Sequence, residues 1–215
     1  MYFTRRGLML ALSSPSGAGK TTLAKILLMS DKNLVSSVSV TTREPRKGEM
    51  DGKDYYFITP AQYEEMAYEQ LLLEHAIVHE NYYGTPRQYV EDSLSNGKDV
   101  VFDIDWQGVQ QLRANVPQDL VSIFIMPPDA KELRRRLEGR ATDSTNVVEK
   151  RLAKAASEVS HWGEYDYVLI NDNPEKCSDD IRSILTAERL KRRRQTGITE
   201  FVRNFNKNII PVKPQ

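Results

Sequence analysis

The chain has 215 residues, with 30 Lys+Arg balanced by 30 Asp+Glu and 40% apolar residues. The neutral balance argues against a protein that coats nucleic acid by bulk electrostatics. The apolar share is sufficient for a packed core and too high for a disordered chain, and the length sets one large or two small domains. A single cysteine, Cys177, excludes an internal disulfide framework and fits a reducing compartment.

No apolar run approaches the ~20 residues of a membrane span. Arg5-Arg6 followed by Leu8–Leu12 imitates an export signal, but the apolar stretch is short and runs into a glycine-rich loop. It reads as a buried first strand, and the cytoplasm is the expected location.

The pattern predicts a strand over Leu8–Ser13, a Gly/Ser loop, and a helix over Lys20–Met29. A second strand is expected at Ser37–Val40. Thr41–Asp54 carries Pro45, Gly48 and Gly52 and reads as loop. Tyr55–Ile58 is strand-like. Thr59-Pro60-Ala61-Gln62 has the form of a helix start, with Thr at the N-cap, Pro at N1 and Gln at N3. Leu71–Val78 suits a strand, and Thr85-Pro86 opens a helix reaching about Asn96-Gly97. Asp99–Ile104 reads as a strand and Trp106–Asn115 as a helix. Leu120–Met126 reads as a strand stopped by Pro127-Pro128. Asp129 caps a basic helix, Ala130–Glu138. A polar loop at Ala141–Asn146 precedes a helix at Val147–Ser160. The last strand is Tyr167–Ile170, and Asn173-Pro174 starts a long terminal helix. The tail from Gln195 is weakly patterned and reads as mobile. There is no internal repeat. Alternating strands and helices imply an α/β fold with a parallel sheet covered on both faces. The section from Thr41 to about Asn96 breaks the rhythm and reads as an insertion over the sheet's edge.

Ser14-Pro15-Ser16-Gly17-Ala18-Gly19-Lys20-Thr21 follows a strand and opens a helix, the context of a phosphate-binding P-loop. Ser14 stands where that pattern has its first glycine. Gly17 and Gly19 let backbone N–H groups curl around an anion, and the helix points its positive end at it. Lys20 can bridge the outer phosphates and the Thr21 hydroxyl can bind Mg²⁺. The loop indicates a nucleoside triphosphate and does not by itself separate kinase, GTPase or motor.

Further motifs are Thr41-Thr42-Arg43-Glu44-Pro45-Arg46-Lys47-Gly48-Glu49, Asn81-Tyr82-Tyr83-Gly84-Thr85 and Asp103-Ile104-Asp105-Trp106-Gln107-Gly108. With these the chain resembles the guanylate kinase family, from about Gly7 to Lys191. The resemblance implies a P-loop nucleoside monophosphate kinase fold. Its core would be 7–36, 97–135 and 160–190, with a GMP-binding insertion at 37–96 and a mobile lid at 136–159. The kinase domain would span 7–187, leaving a tail at 195–215. It implies the reaction ATP + GMP → ADP + GDP with Mg²⁺, with dGMP as a second acceptor.

Carried onto this sequence, the family's ATP site is Ser14, Pro15, Ser16, Gly17, Ala18, Gly19, Lys20, Thr21, Thr22 and Asn171. For Asn171 a turn role stays open. The GMP site is Ser39, Arg43, Arg46, Glu49, Tyr55, Glu74, Tyr83, Gly84, Thr85 and Asp105. Arg43 and Arg46 suit a fork-like clamp on the GMP phosphate, with tyrosine hydroxyls beside it. One ionised carboxylate, Glu74, can accept both the N1–H and 2-amino donors of guanine, which adenine does not present. Thr85 is open between reading the base and capping the helix at Pro86. Asp103 fits a Mg²⁺ partner through water and Asp105 faces GMP, unless one of the pair caps the helix at Trp106. Arg136, Arg140 and Arg151 would join Lys20 and Arg43 as catalytic cations, while Arg134 and Arg135 read as solvated. Gly139-Arg140-Ala141 departs from the family's Gly-Arg-Gly.

His75 and His79 lack a third ligand at a telling spacing, so no metal site is expected there. Lys191-Arg192-Arg193-Arg194 reads as a solvated basic helix end rather than an RNA site. Cys177 carries no assigned chemistry. The expected partners are ATP and GMP, without membrane or nucleic acid, for a monomer or homo-oligomer. A kinase for another monophosphate, or a non-catalytic binding module, is the competing reading.

Overall fold

A computed structural model describes residues 4–78, 80–139 and 145–209. The elements run β1 (Met9–Ser13), α1 (Lys20–Ser30), β2 (Leu34–Ser36), β3 (Val40–Thr41), β4 (Tyr56–Phe57), α2 (Pro60–Tyr68), β5 (Leu72–Val78), β6 (Asn81–Pro86) and α3 (Arg87–Ser95). They continue with β7 (Asp99–Asp103), α4 (Trp106–Asn115), β8 (Leu120–Met126), α5 (Ala130–Glu138), α6 (Thr145–Val159), β9 (Tyr167–Ile170), α7 (Pro174–Leu190) and α8 (Ile198–Ile209).

Five strands form a parallel sheet in the order β2-β7-β1-β8-β9. The period-2 alternation of β1 assigns its side chains to two cores. Leu8, Leu10 and Leu12 pack under α1 and α7, while Met9 and Ala11 pack under α3 and α4. The chain leaves β1 toward β2 on one side and later fills β8 and β9 on the other. That reversal opens a crevice at the carboxyl ends of the strands, where an open α/β sheet binds ligand. Leu12 is in register with Asp103, so the loop after β1 starts beside the end of β7.

The insertion folds around its own four-stranded sheet, in the order β4-β3-β6-β5, with Val40, Tyr63 and Leu72 at its centre. The strand expected at Ser37–Val40 is instead mostly the link between the two sheets, and only Val40 lies in a strand. β2 ends at Ser36, and β3 starts at Val40. The local apolar pattern could not reveal that link because the strand on either side of it is completed by a different partner strand. The capping box at Thr59 and Gln62 forms as expected.

The opposite end of the parallel sheet is held by ions. Asp99 is fully buried and accepts from both terminal nitrogens of Arg5 (2.6 and 2.9 Å), from Arg189 Nε (2.7 Å) and from the Leu8 amide (2.9 Å). Removing one partner of such a cluster strands the others without water. Asp99→Ala is expected to cost about 3–5 kcal/mol of stability. Thermal unfolding should fall by roughly 10 °C, while turnover per folded molecule stays unchanged, because the cluster lies across the sheet from the crevice.

Two readings of the tail are corrected. Ile198–Ile209 form the helix α8 in the stretch that reads as a weakly patterned tail, and the amide of Gly197 donates to Thr4 O. The basic run is not wholly solvated. Arg194 is 1% exposed, lies 3.6 Å from Glu188 and 3.8 Å from Asp119, and its carbonyl accepts from the Arg6 amide. Sequence charge alone hid this, because the countercharges come from α7 and from the loop before β8. Burial pushes the Cys177 thiol up to about 11, which removes it as a nucleophile at neutral pH.

Candidate active site

The loop from Ser14 to Gly19 leaves β1 and curls into α1. Gly17 and Gly19 have φ of 93° and 96°, the left-handed region. A Cβ on Gly19 would also sit 2.5 Å from the Asn171 amide nitrogen. Asn171 is buried after β9, and its Nδ2 donates to Ala18 O at 2.7 Å. Asn171 thus braces the loop from behind. Arg136, on α5, reaches the same back wall: it donates to Asn171 O at 3.1 Å and pairs with Glu132 at 2.7 Å.

Inside the loop is a cavity of about 310 Å³ lined by Ser14, Ser16, Lys20, Thr21, Asp103 and Asp105 among others. Pro15, Gly17, Gly19 and Thr22 also face it. Lys20 Nζ lies 2.6 Å from Asp103 Oδ1 and donates to Ile104 O at 3.0 Å. Thr21 Oγ1 donates to Asp103 Oδ2 at 2.9 Å. Asp105 is the N-cap of α4 and accepts from the amides of Gln107 and Gly108 while lining the same cavity. Asp105 therefore caps α4 and lines the cavity at once.

The second half is built on the insertion. Glu74 sits on β5, 6% exposed, and its Oε1 accepts from Thr85 Oγ1 at 2.6 Å. Ser39 Oγ lies 3.2 Å from that hydroxyl. Thr85 is therefore not the cap of α3. It belongs to β6, where pairing with β5 turns its hydroxyl to Glu74, and Pro86 takes the cap position. Burial pushes the Glu74 carboxyl above its usual range; the Thr85 hydrogen bond opposes this and the charge of Asp105 adds to it. Gly108 admits the carboxylate: a Cβ there would stand 3.3 Å from Glu74 Oε2.

Arg43 is held by a two-pronged pair to Glu49 at 3.0 Å, and its Nε donates to the Tyr83 hydroxyl at 3.2 Å. The Tyr55 ring lies under the guanidinium at 5.4 Å and edge-on to Tyr83. The Arg46 amide donates to Glu49, and its side chain is exposed. Gly84 is buried in β6 beside Leu72. Arg151 lies on α6, and Arg140 lies outside the described residues. Arg134 and Arg135 are at the surface in pairs with Glu149 and Glu132. His79 also lies outside the described residues. Among the described residues no cluster of His, Cys, Asp or Glu forms a metal-holding group.

Three contributors are missed by sequence reasoning. Gln111 on α4 exchanges two hydrogen bonds with the backbone of His75 (2.9 and 2.8 Å), and Asn115 donates to Leu73 O at 2.9 Å. They occupy the open edge of β5 on either side of Glu74, as a neighbouring strand would. Glu158, near the end of α6, accepts from the Ser16 amide at 3.1 Å. Its spacing from Lys154 has the form of an ordinary surface i,i+4 pair, so the sequence carries no signal for it.

A P-loop on a parallel sheet, with an inserted sheet that carries a buried carboxylate and a paired arginine, defines the class: a P-loop α/β protein with an inserted subdomain. The family model described as guanylate kinase matches residues 6–188. A guanylate kinase of Paramagnetospirillum magneticum is 56% identical over 93% of both chains. One of Rhodospirillum rubrum is 58% identical over 92% of this chain and 91% of its own. The crystal structure of guanylate kinase from Anaplasma phagocytophilum superimposes with a TM-score of 0.74 at 40% identity, covering 98% of this chain and 99% of that one. The chain belongs to the guanylate kinase family.

Proposed function

We infer that this protein transfers the γ-phosphoryl group of ATP to GMP, giving ADP and GDP, and accepts dGMP as well. The observation that carries the reading is Glu74: a buried carboxylate, oriented by Thr85, beside Gly108 in the first turn of the helix whose cap, Asp105, lines the loop's cavity. Its acceptor oxygens match the two adjacent donors of guanine, and adenine would leave it unpaired.

The ATP phosphates lie in the loop from Ser14 to Thr22, and Lys20 turns from Asp103 to the outer phosphates. Arg43, Arg46, Tyr55 and Tyr83 take the GMP phosphate. Both terminal nitrogens of Arg43 are paired with Glu49 here, so its fork exchanges Glu49 for the phosphate on binding. A GMP phosphate oxygen attacks the γ-phosphorus. The bond from that phosphorus to the β–γ bridging oxygen breaks, and ADP leaves with the electron pair. The attacking phosphate carries about −1.5 to −2 charge near neutral pH, so no general base is required. Lys20 offsets charge on the transferred group; Arg136, Arg140 and Arg151 belong to the lid and join it on lid closure, for which Arg136 leaves Glu132 and the Asn171 carbonyl.

The Thr21 hydroxyl and the Asp103 carboxylate are hard oxygen donors 2.9 Å apart at the mouth of the loop, which suits Mg²⁺. When bound with ATP, Mg²⁺ neutralises charge on the phosphates. The division into core (7–36, 97–135, 160–190), GMP-binding insertion (37–96), lid (136–159) and tail (195–215) belongs to the same reading. No described helix is long and apolar enough to cross a membrane. A cytoplasmic place in GMP recycling accords with the single buried thiol.

The test is ADP production from Mg·ATP with GMP, beside AMP, dTMP, UMP and no acceptor. Turnover with GMP and dGMP alone is expected. Equal turnover with another monophosphate would reassign the acceptor, and ATP binding without turnover would favour a binding module.

A further inference from the structure

The last turn of α6 meets the phosphate loop at a point that the phosphoryl-transfer reading leaves without a role. Glu158 is 8% exposed, lines the phosphate cavity, and accepts the Ser16 amide on Oε2 at 3.1 Å. Its other oxygen lies 3.7 Å from Lys154 Nζ. An amide that would otherwise have a free direction at the mouth of the loop is therefore fixed by an ionised acceptor from 142 residues away.

The end of α6 that carries this carboxylate is packed on two sides. One turn on, the His161 ring stacks on Trp106 with centroids 3.8 Å apart and planes 8° from parallel. His161 Nδ1 is 2.6 Å from Glu164 Oε1, and Gln110 Nε2 donates to the second oxygen of Glu164 at 2.8 Å. Both Trp106 and Gln110 belong to α4, the helix capped by Asp105. One turn back, Ala155 is buried against Leu133 and Leu137 of α5, the same leucines that face Gly17. The end of α6 is thus clamped between α4 and α5, and Glu158 projects from the clamp onto the loop.

We propose that Glu158 is a positioning residue for ATP: it holds the Ser16 amide so that the loop is preset for the phosphates. The proposal rests on the ATP-binding reading of the loop. Hydrogen bonds to an ionised acceptor are among the stronger ones, and losing this one lets the Ser14–Gly17 turn relax. The loss falls on ATP and spares GMP, whose half-site is built on the insertion. An amide side chain of the same shape still accepts through its oxygen, so Glu158→Gln retains most of the function.

Binding of Mg·AMP-PNP and, separately, of GMP is to be titrated calorimetrically for wild type, Glu158→Ala and Glu158→Gln, with thermal midpoints and the Ser16 amide proton shift. Glu158→Ala is expected to weaken Mg·AMP-PNP about tenfold, with Glu158→Gln within about threefold of wild type. GMP affinity should stay within about twofold in both, as for an independent site. The Ser16 amide proton should move upfield in Glu158→Ala and less so in Glu158→Gln. Unchanged Mg·AMP-PNP affinity in Glu158→Ala overturns the proposal. So does a parallel fall of Mg·AMP-PNP and GMP affinity with the thermal midpoint, or a glutamine variant as weak as the alanine one. Failure of the wild type itself to bind Mg·AMP-PNP would remove the ATP reading and this proposal together, a result separable from the variants.

Discussion

Replacing Glu74 by glutamine should abolish efficient use of GMP while leaving the protein folded. The carboxylate is the acceptor for two guanine donors, and glutamine presents one donor face where an acceptor is needed. One hydrogen bond is lost and the other no longer goes to a charge, and kcat/KM for GMP should fall roughly 10²- to 10⁴-fold. The KM for ATP should stay near wild type, since Glu74 lies on β5, away from the phosphate loop. Steady-state kinetics with each substrate varied in turn separates the two. A variant within tenfold of wild type for GMP would remove Glu74 from base recognition.

The same residue sets a pH dependence. Burial raises the Glu74 carboxyl above its ordinary value in the ligand-free protein, despite the opposing Thr85 bond. Guanine's donors favour the ionised form, so binding GMP lowers that value. Between the bound and free values the site releases a proton on binding. GMP affinity should therefore rise with pH through that interval and level off above the free value. Calorimetry in buffers of different ionisation enthalpy reads the proton count. The GMP phosphate titrates near pH ~6 in every case, so the difference from Glu74→Gln isolates Glu74. For folding, a raised native value contributes stability below the ordinary glutamate range, and this is lost as pH rises through the native value. At pH 8 the glutamine variant, carrying no buried charge, should melt no lower than wild type.

The second large effect is expected at Lys20. Lys20→Met removes a lysine that lines the phosphate cavity and leaves Asp103 without its 2.6 Å partner. On the mechanism proposed above, this cation follows the charge that develops on the transferred group. Loss of one such contact should lower kcat roughly 10²- to 10³-fold. Binding of Mg·AMP-PNP should weaken far less, because the loop amides and the α1 terminus remain. A kcat within tenfold of wild type would show that Lys20 serves binding rather than the chemical step.

Much of the fold is legible along the chain because its signals are local. The caps at Thr59, Asp129 and Asn173 each bond to amides two or three residues on, and all three form as read. Helix α4 and strands β8 and β9 match their expected limits, since apolar period and flanking breakers agree there. The phosphate loop is legible for the same reason: two positive-φ glycines and a helix start lie within eight residues.

What failed or stayed open did so where a distant partner decides. Ser37–Val40 reads as one strand, yet it is the link that carries the chain from one sheet to the other, with only Val40 paired. Thr85 stays open in the sequence between cap and base reader, and pairing of β6 with β5 gives its hydroxyl to Glu74. Arg194 reads as surface charge, yet Glu188 and Asp119 surround it.

By itself, then, the sequence determined the alternation of strands and helices, the phosphate loop, and the motif set that marks the family. These rest on interactions closed within a few residues, or on strings of residue types. Only the tertiary structure decided the sheet order and the support of β5 by Gln111 and Asn115. It also decided the brace of Asn171 behind the loop and the approach of Glu158 to Ser16. Each of these joins groups from 36 to 153 residues apart, and a hydrogen bond across such a separation exists only once the packing of both cores has brought its ends together.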